Sequence, residues 1–293
     1  MSESRRSLTR RDFVRVGTGV AVGASLSGLT WAQPAAQAKR SAVVTLVRHA
    51  DVLTAGHQVD SGLLDGMLAE AVKSVTGKGS AQEGWRSLVS PKDVVGLVPT
   101  RALAPTHDEL VAAVRSALVA AGVPESNILN VQNRKAEVGS CTALICMPGL
   151  KAHWLTGIGT VFKNYIMFGD TPSAYHDENN DRLGEIWLLP HVKGKTRLVL
   201  VDALRPLCDK GPQVDPRYLW DYKGLLAGVD PVAVEAVGLK IITARREALK
   251  GEPWPLSPPP LCVAMADRRY GLGTSKLEEI TINRIGWAEG ALV

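Results

Sequence analysis

The chain of 293 residues has only four cysteines, Cys141, Cys146, Cys208 and Cys262, and no two form a Cys-x-x-Cys pair. That argues against a zinc ribbon or a cluster-binding run, and no iron–sulfur cluster is expected. Cys141 and Cys146 fall on one expected strand, where a separation of five sends them to opposite faces and keeps them from pairing. For Cys208 and Cys262 the sequence leaves open a bridge, in an oxidising compartment, or two buried thiols. Aromatic residues make up 5% of the chain, and no basic run has aromatics interleaved in it. The surface therefore lacks the charge and stacking that nucleic acid requires. A bilayer-spanning segment needs roughly 20 strongly apolar residues. The best stretch, residues 14–32, is diluted by Gly17, Gly19, Gly23 and Gly28, so no stable membrane anchor is expected. No internal repeat or low-complexity tract is present.

What stands at the start is a basic segment, a weakly apolar stretch and a small-residue tail ending Ala36-Gln37-Ala38, the layout of a signal peptide. Its basic part, Thr9-Arg10-Arg11-Asp12-Phe13-Val14-Arg15, resembles the twin-arginine export motif. The expectation is that residues 1–38 engage the twin-arginine translocation machinery and are removed, leaving residues 39–293 in the periplasm or outside the cell. Removal takes five Arg and two acidic residues from totals of 34 and 29, leaving 29 basic against 27 acidic residues. The apparent basicity of the chain then largely disappears.

Residues 39–293 alternate strand and helix signals. Residues 42–47 form a continuous apolar run suited to a buried parallel strand, and a helical pattern follows over 60–75. Residues 93–98 predict the next strand. Thr106-His107-Asp108-Glu109 reads as a capping box before a helix that Gly122 and Pro124 stop near Ala121. Further strands are expected over 128–131, 142–147, 197–201 and 225–227. Asp230 and Pro231 mark a helix start, and the alternating run 280–285 suggests a sheet-edge strand. The proline-rich residues 253–260 read as a rigid connector between helices. The fold class implied is α/β, a mostly parallel sheet with helices on both faces and room for a small subdomain.

In such a sheet, ligands bind beyond the carboxyl ends of the strands. After the strand 142–147 come Lys151 and His153, then Thr156-Gly157 before a helix carrying Lys163 and Asn164, and His176 in the loop beyond; Asp202 and Asp230 follow later strands. Lys151, His153, Lys163 and His176 are the candidate catalytic residues, and Asn164, Asp202, Asp230, Thr156 and Gly157 the candidate binding residues. His153, His176 and Asp202 are the candidate ligands should a divalent metal be used. Each also has a structural alternative. Lys151 could be a solvated loop charge, either histidine could satisfy loop carbonyls, Lys163-Asn164 could be a helix's polar face, Asp230 could be only an N-cap, and Asp202 could cap a turn before Pro206. Leu46-Val47-Arg48-His49-Ala50 looks like the nucleophile motif of histidine phosphatases, but the later histidine motif that chemistry needs is not recognisable. Phosphatase chemistry stays a minor alternative, and a surface Arg-His pair is the expectation.

Several of these segments resemble the exported branch of the domain of unknown function 362 family. They include Asp93-Val94-Val95-Gly96, the 106–122 helix unit, Gly139-Ser140-Cys141-Thr142-Ala143, Leu150-Lys151-Ala152-His153, Phe162-Lys163-Asn164-Tyr165, Tyr175-His176, Leu200-Val201-Asp202-Ala203-Leu204, Gly211-Pro212 and Asp230-Pro231-Val232-Ala233-Val234. The resemblance implies no settled activity. Two departures stand out. The family's Ile-Lys-x-Asn is here Leu97-Val98-Pro99-Thr100, so a basic contact is missing from that loop, and the ferredoxin-type cysteines of some relatives are absent. The unit at 106–131 is also similar to one of the lactate racemase superfamily, which binds a nickel pincer cofactor. Its histidine-bearing strand end is replaced here by Asn133-Arg134-Lys135, so neither racemisation nor nickel follows.

The functional expectation is an exported enzyme acting on a small anionic ligand. Lys151 and Lys163 would neutralise the anion, the histidines would transfer protons or bind metal, and helix amides near 156–159 would add to the site. The alternative is a periplasmic ligand- or metal-binding protein without turnover, although the chain shows no pair of equal lobes with a hinge.

Overall fold

The structure, a computed structural model, describes residues 42–131, 135–176 and 180–293. The export signal read at 1–38, and Asn133 and Arg134, lie outside them. The apolar run at the start of the described chain makes β1 (Ala42–Arg48), buried at every position but Val43. Helix α1 (Ser61–Thr76) begins where the Asp60 side chain accepts the Leu63 amide and ends on Gly77, whose φ of 64° a glycine adopts without strain. A short helix that periodicity did not announce, α2 (Ala81–Leu88), follows, capped by Ser80. Then come β2 (Val95–Pro99), α3 (Asp108–Ala121), β3 (Ile128–Asn130), α4 (Lys135–Ser140) and β4 (Ala143–Met147). The middle of the chain holds β5 (Gly149–His153), β6 (Gly157–Ile158) and the single turn α5 (Val161–Asn164). It closes with β7 (Thr196–Leu207), β8 (Gly224–Gly228), α6 (Pro231–Lys250), α7 (Leu261–Arg268) and β9 (Ile280–Gly286).

The strands form one mostly parallel sheet in the order β3-β2-β4-β7-β8-β1-β9, with β5 and β6 branching from β7. On one face α1, α2 and α3 bury a core that includes Leu64, Trp85, Leu110 and Leu118; on the other, α5, α6 and α7 bury Phe162, Val237, Ile241 and Cys262. This is the two-sided cover that near-continuous apolar strands require. β9 lies at the sheet edge, as its alternation implies, and no helix among the described residues is long and apolar enough to cross a membrane. The described residues belong to one compact unit, Lys39–Val293.

The structure departs from the sequence reading in six places. First, β7 runs to Leu207 rather than stopping at 201, so Asp202 sits inside a strand. Second, residues 149–153 form β5 instead of a loop. The reason is shared: β7 is long enough to pair β4 along its first half and, past the break at Pro148, β5 along its second, with Gly149 opposite Asp202 and Lys151 opposite Leu207. Third, β8 runs antiparallel to both β7 and β1. Fourth, the capping box does not form, because Thr106 Oγ1 donates to Met147 O and accepts the Thr100 amide, leaving His107 at the N-cap without a side-chain cap bond. Fifth, Cys141 precedes β4 rather than lying on it; of the two alternatives open for Cys208 and Cys262 the structure has the buried thiols, and Cys141 and Cys146 are free as well. Sixth, Arg48 is not a surface residue. It is 3% exposed, lies 4.3 Å from both the Tyr222 and Trp287 ring centroids, and donates to Tyr222 O and Glu289 O. It holds the segment after β9 against the sheet, a role that withdraws it from phosphate chemistry.

Candidate functional site

The end of β2 and the loop after it face β5 and α5 across a cavity of about 180 Å³. Lys151, His153, Lys163 and Asn164 line it, with Thr100 and Arg101 from the loop. Three of its lining residues are cationic and none is a carboxylate. A site this small, below the ~300 Å³ at which drug-sized pockets begin, suits a ligand of a few heavy atoms.

Lys151 enters from β5 and is 4% exposed. Its Nζ donates to Ala104 O at 3.1 Å and to Thr100 Oγ1 at 3.4 Å. Thr100 Oγ1 in turn donates to Asn164 Oδ1 at 3.0 Å, and Asn164 Nδ2 donates to Val98 O at 2.7 Å. Asn164 thus fixes the partner that fixes Lys151. Burial, and then the neighbouring Lys163 charge, lower the Lys151 amine to about 7. Lys163, from the short α5, is lowered to about 8 by burial and makes no hydrogen bond or ion pair among the described residues. Desolvation disfavours the charged form of an amine, so both lysines hold protons loosely.

His153 is 6% exposed and packs against Gly159, where a side chain would meet the His153 Cβ at 3.0 Å and its ring at 3.1 Å. The Leu155 amide donates to its Nδ1 at 3.1 Å, which puts the proton of the neutral ring on Nε2. Burial first, then the charges of Lys163, His176 and Lys151, push its pKa down to about 3. His153 is therefore a neutral N–H donor at physiological pH. His176 stacks on it, with ring centroids 5.8 Å apart and planes 14° from parallel, and its pKa too is lowered, by burial and Lys163.

The other candidates lie elsewhere. Asp202 Oδ2 accepts from the His107 amide and from His107 Nδ1 at 2.7 Å, and its Oδ1 accepts the Leu204 amide. It orients His107 at the mouth of a neighbouring cavity of about 310 Å³. Burial opposes the charge on His107, but the hydrogen bond and charge of Asp202 outweigh it and raise the pKa. Asp202 does not join His153 and His176 in a ligand set, and among the described residues no group of three His, Cys, Asp or Glu is placed to hold a metal. Asp230 caps α6 through the Val232 and Ala233 amides and also accepts the Thr274 amide. Because β8 is antiparallel, Asp230 emerges at the opposite rim from β5. Thr156 Oγ1 is turned onto Ile158 O, and Gly157, at φ 72°, packs against the proline connector at Pro258 and Pro260. Neither lines the cavity.

The amides expected to greet an anion near 156–159 have a different partner. The Val161 and Phe162 amides donate to the carboxylate of Glu235, at 2.8 and 3.5 Å, from the fully buried face of α6. Burial raises Glu235 to about 7 against the pull of those amides and of Lys151. The sequence carried a signal for it, one acid inside the apolar run Val232-Ala233-Val234-Glu235-Ala236-Val237. Arg101, three positions after Val98, puts a basic residue on the cavity wall where Leu97-Val98-Pro99-Thr100 has none. Residues 109–240 match the family model described as Domain of unknown function (DUF362). The matched residues include Lys151, His153, Lys163, Asn164, His176 and Glu235, whereas Thr100 and Arg101 precede them. No curated protein and no solved structure matches the chain.

Proposed function

We propose that this protein is an exported enzyme that binds a small anion in the β2–β5–α5 cavity and moves protons on it. The observation that carries the reading is a cavity wall with Arg101, Lys151 and Lys163 and, among the described residues, no carboxylate. In a small, partly water-excluded site such charges act more strongly than in bulk solvent. Lys163 and Arg101 neutralise the ligand, and the His153 Nε2–H donates to a ligand oxygen without carrying charge. Lys151, lowered to about 7, gives and takes protons near neutral pH. Asn164 and Thr100 position Lys151, and His176 holds the His153 ring. Export through the twin-arginine route rests on Arg10-Arg11 and Ala36-Gln37-Ala38.

Titration calorimetry with oxalate, pyruvate and phosphate tests the binding. At least one should bind to the parent, and Lys163→Ala should weaken that affinity tenfold or more. Binding unaffected by that change would sink the reading, and binding without consumption of any compound from metabolite pools would favour the ligand carrier. Amino-terminal sequencing of the exported protein should begin near Lys39, and an intact Met1 would overturn the processing.

A further inference from the structure

We infer that Lys163 is a carbonyl-capturing nucleophile, forming an imine through its Nζ with a small ketone or aldehyde that also bears an anionic group. The inference rests on the anion-binding reading above and adds the class of ligand. Three features of the geometry support it. Lys163 faces the cavity with no acceptor among the described residues holding its amine, unlike Lys151, whose Nζ is tied to Ala104 O and Thr100 Oγ1. A second amine and an arginine line the same small space, so an anionic group on the ligand has partners other than the nucleophile. The His153 N–H provides a neutral donor for a carbonyl oxygen. A mere anion clamp gains nothing from a desolvated amine, since burial weakens the hold on the proton on which a clamp depends; a nucleophile gains readier access to its lone pair. The lowering of Lys163 to about 8 agrees with that use.

The step balances without any further reagent. The neutral Lys163 amine attacks the carbonyl carbon, a C–N bond forms, and the C=O π pair moves to oxygen. One amine proton passes to that oxygen to give the carbinolamine. The Lys151 ammonium then protonates the hydroxyl, the C–O bond breaks, water leaves, and a protonated imine remains on Lys163. Lys151 regains its proton from solvent. Two amines divide the work, one as nucleophile and one as acid.

The test uses the full-length protein with pyruvate and cyanoborohydride at about pH 8, where roughly half of the Lys163 amines are neutral. The expected result is one adduct, heavier by pyruvate less one oxygen, on the peptide bearing Lys163, with its formation suppressed by oxalate. Lys163→Arg keeps the charge and cannot form an imine, so it should bind oxalate and give no adduct. Lys151→Met should slow trapping by about a hundredfold, the contribution of a positioned acid. Label on Lys151 or spread over surface lysines would overturn the assignment. Oxalate binding with no trapped pyruvate would overturn the imine and leave the anion reading standing. Absence of binding by both compounds and by phosphate would remove both readings.

Discussion

At the scale of single residues, the two lysines and the histidine of the cavity differ in what they do for the fold. Lys163 touches no acceptor among the described residues and burial opposes its charge, so Lys163→Ala should not lower stability at neutral pH, while a lost charged contact to a bound anion costs about 1.5–3 kcal/mol, tenfold to more than a hundredfold in affinity. Thermal melting beside oxalate titration separates the two, and an early-melting Lys163→Ala would mean the side chain holds α5 in place. His153 is another matter, because it is buried and accepts the Leu155 amide. His153→Ala should lower stability by about 1–3 kcal/mol, and His153→Asn, which restores an acceptor, should recover part of it. Glu235 shows the same logic without facing the cavity. Removing its carboxylate in Glu235→Ala leaves the buried Val161 and Phe162 amides unpaired, at about 1–3 kcal/mol each, and should loosen α5 so that ligand binding falls with stability. Denaturant unfolding measures it. Equal stability of the alanine variant would show that water replaces the carboxylate.

Among elements, β8 decides which residues share a site. Asp230 follows a strand and carries the expected cap, yet the strand runs backwards relative to β7 and delivers it to the far rim. Asp230→Ala should therefore destabilise α6 by about 1–2 kcal/mol, as lost caps do, with oxalate affinity unchanged once the protein is folded. A large loss of affinity in the folded variant would contradict the placement. Strand direction is not written in local periodicity, since an apolar run reads alike both ways, and this is why Asp230 was grouped with Lys151 and His153. The elements bounded by local chemistry were legible: α1 between Asp60 and Gly77, α3 up to Gly122, α6 from Asp230-Pro231. Those set by distant partners were not. β5 exists because β7 is long enough to pair a second strand, and Thr106 abandons its cap because Met147 O, 41 residues away, lies within reach. Within the site, Lys151, His153, Lys163, Asn164 and His176 were visible as polar residues gathered after one strand. Arg101 and Glu235 were hidden, the first in a loop without pattern and the second on a helix face that periodicity assigns to the core.

For the whole molecule, burying two amines in one wall makes stability depend on pH. The unfolded chain keeps the Lys151 proton up to about 10.5, whereas the folded chain releases it near 7, so between those values the unfolded state holds a proton that the folded state lacks. The resulting stability is complete above the unfolded value and is lost as pH drops through about 7; Lys163 acts in the same direction from about 8. The melting temperature should thus rise from pH 7 toward 9, and Lys151→Met should keep only the smaller rise due to Lys163. A parent profile that is flat over this range would show that both amines stay hydrated. The sheet order has a consequence of another kind. β1, residues 42–48, has β9, residues 280–286, as its outer partner along its whole length, and contacts so distant in sequence make folding slow. While the chain is being synthesised, β1 has an open hydrogen-bonding edge until the ribosome has delivered residues 280–286, and an apolar strand with an open edge can pair with another chain. A prematurely terminated copy would therefore be left sticky rather than merely short, and would be readily distinguished from a finished one by any chaperone that senses exposed strands.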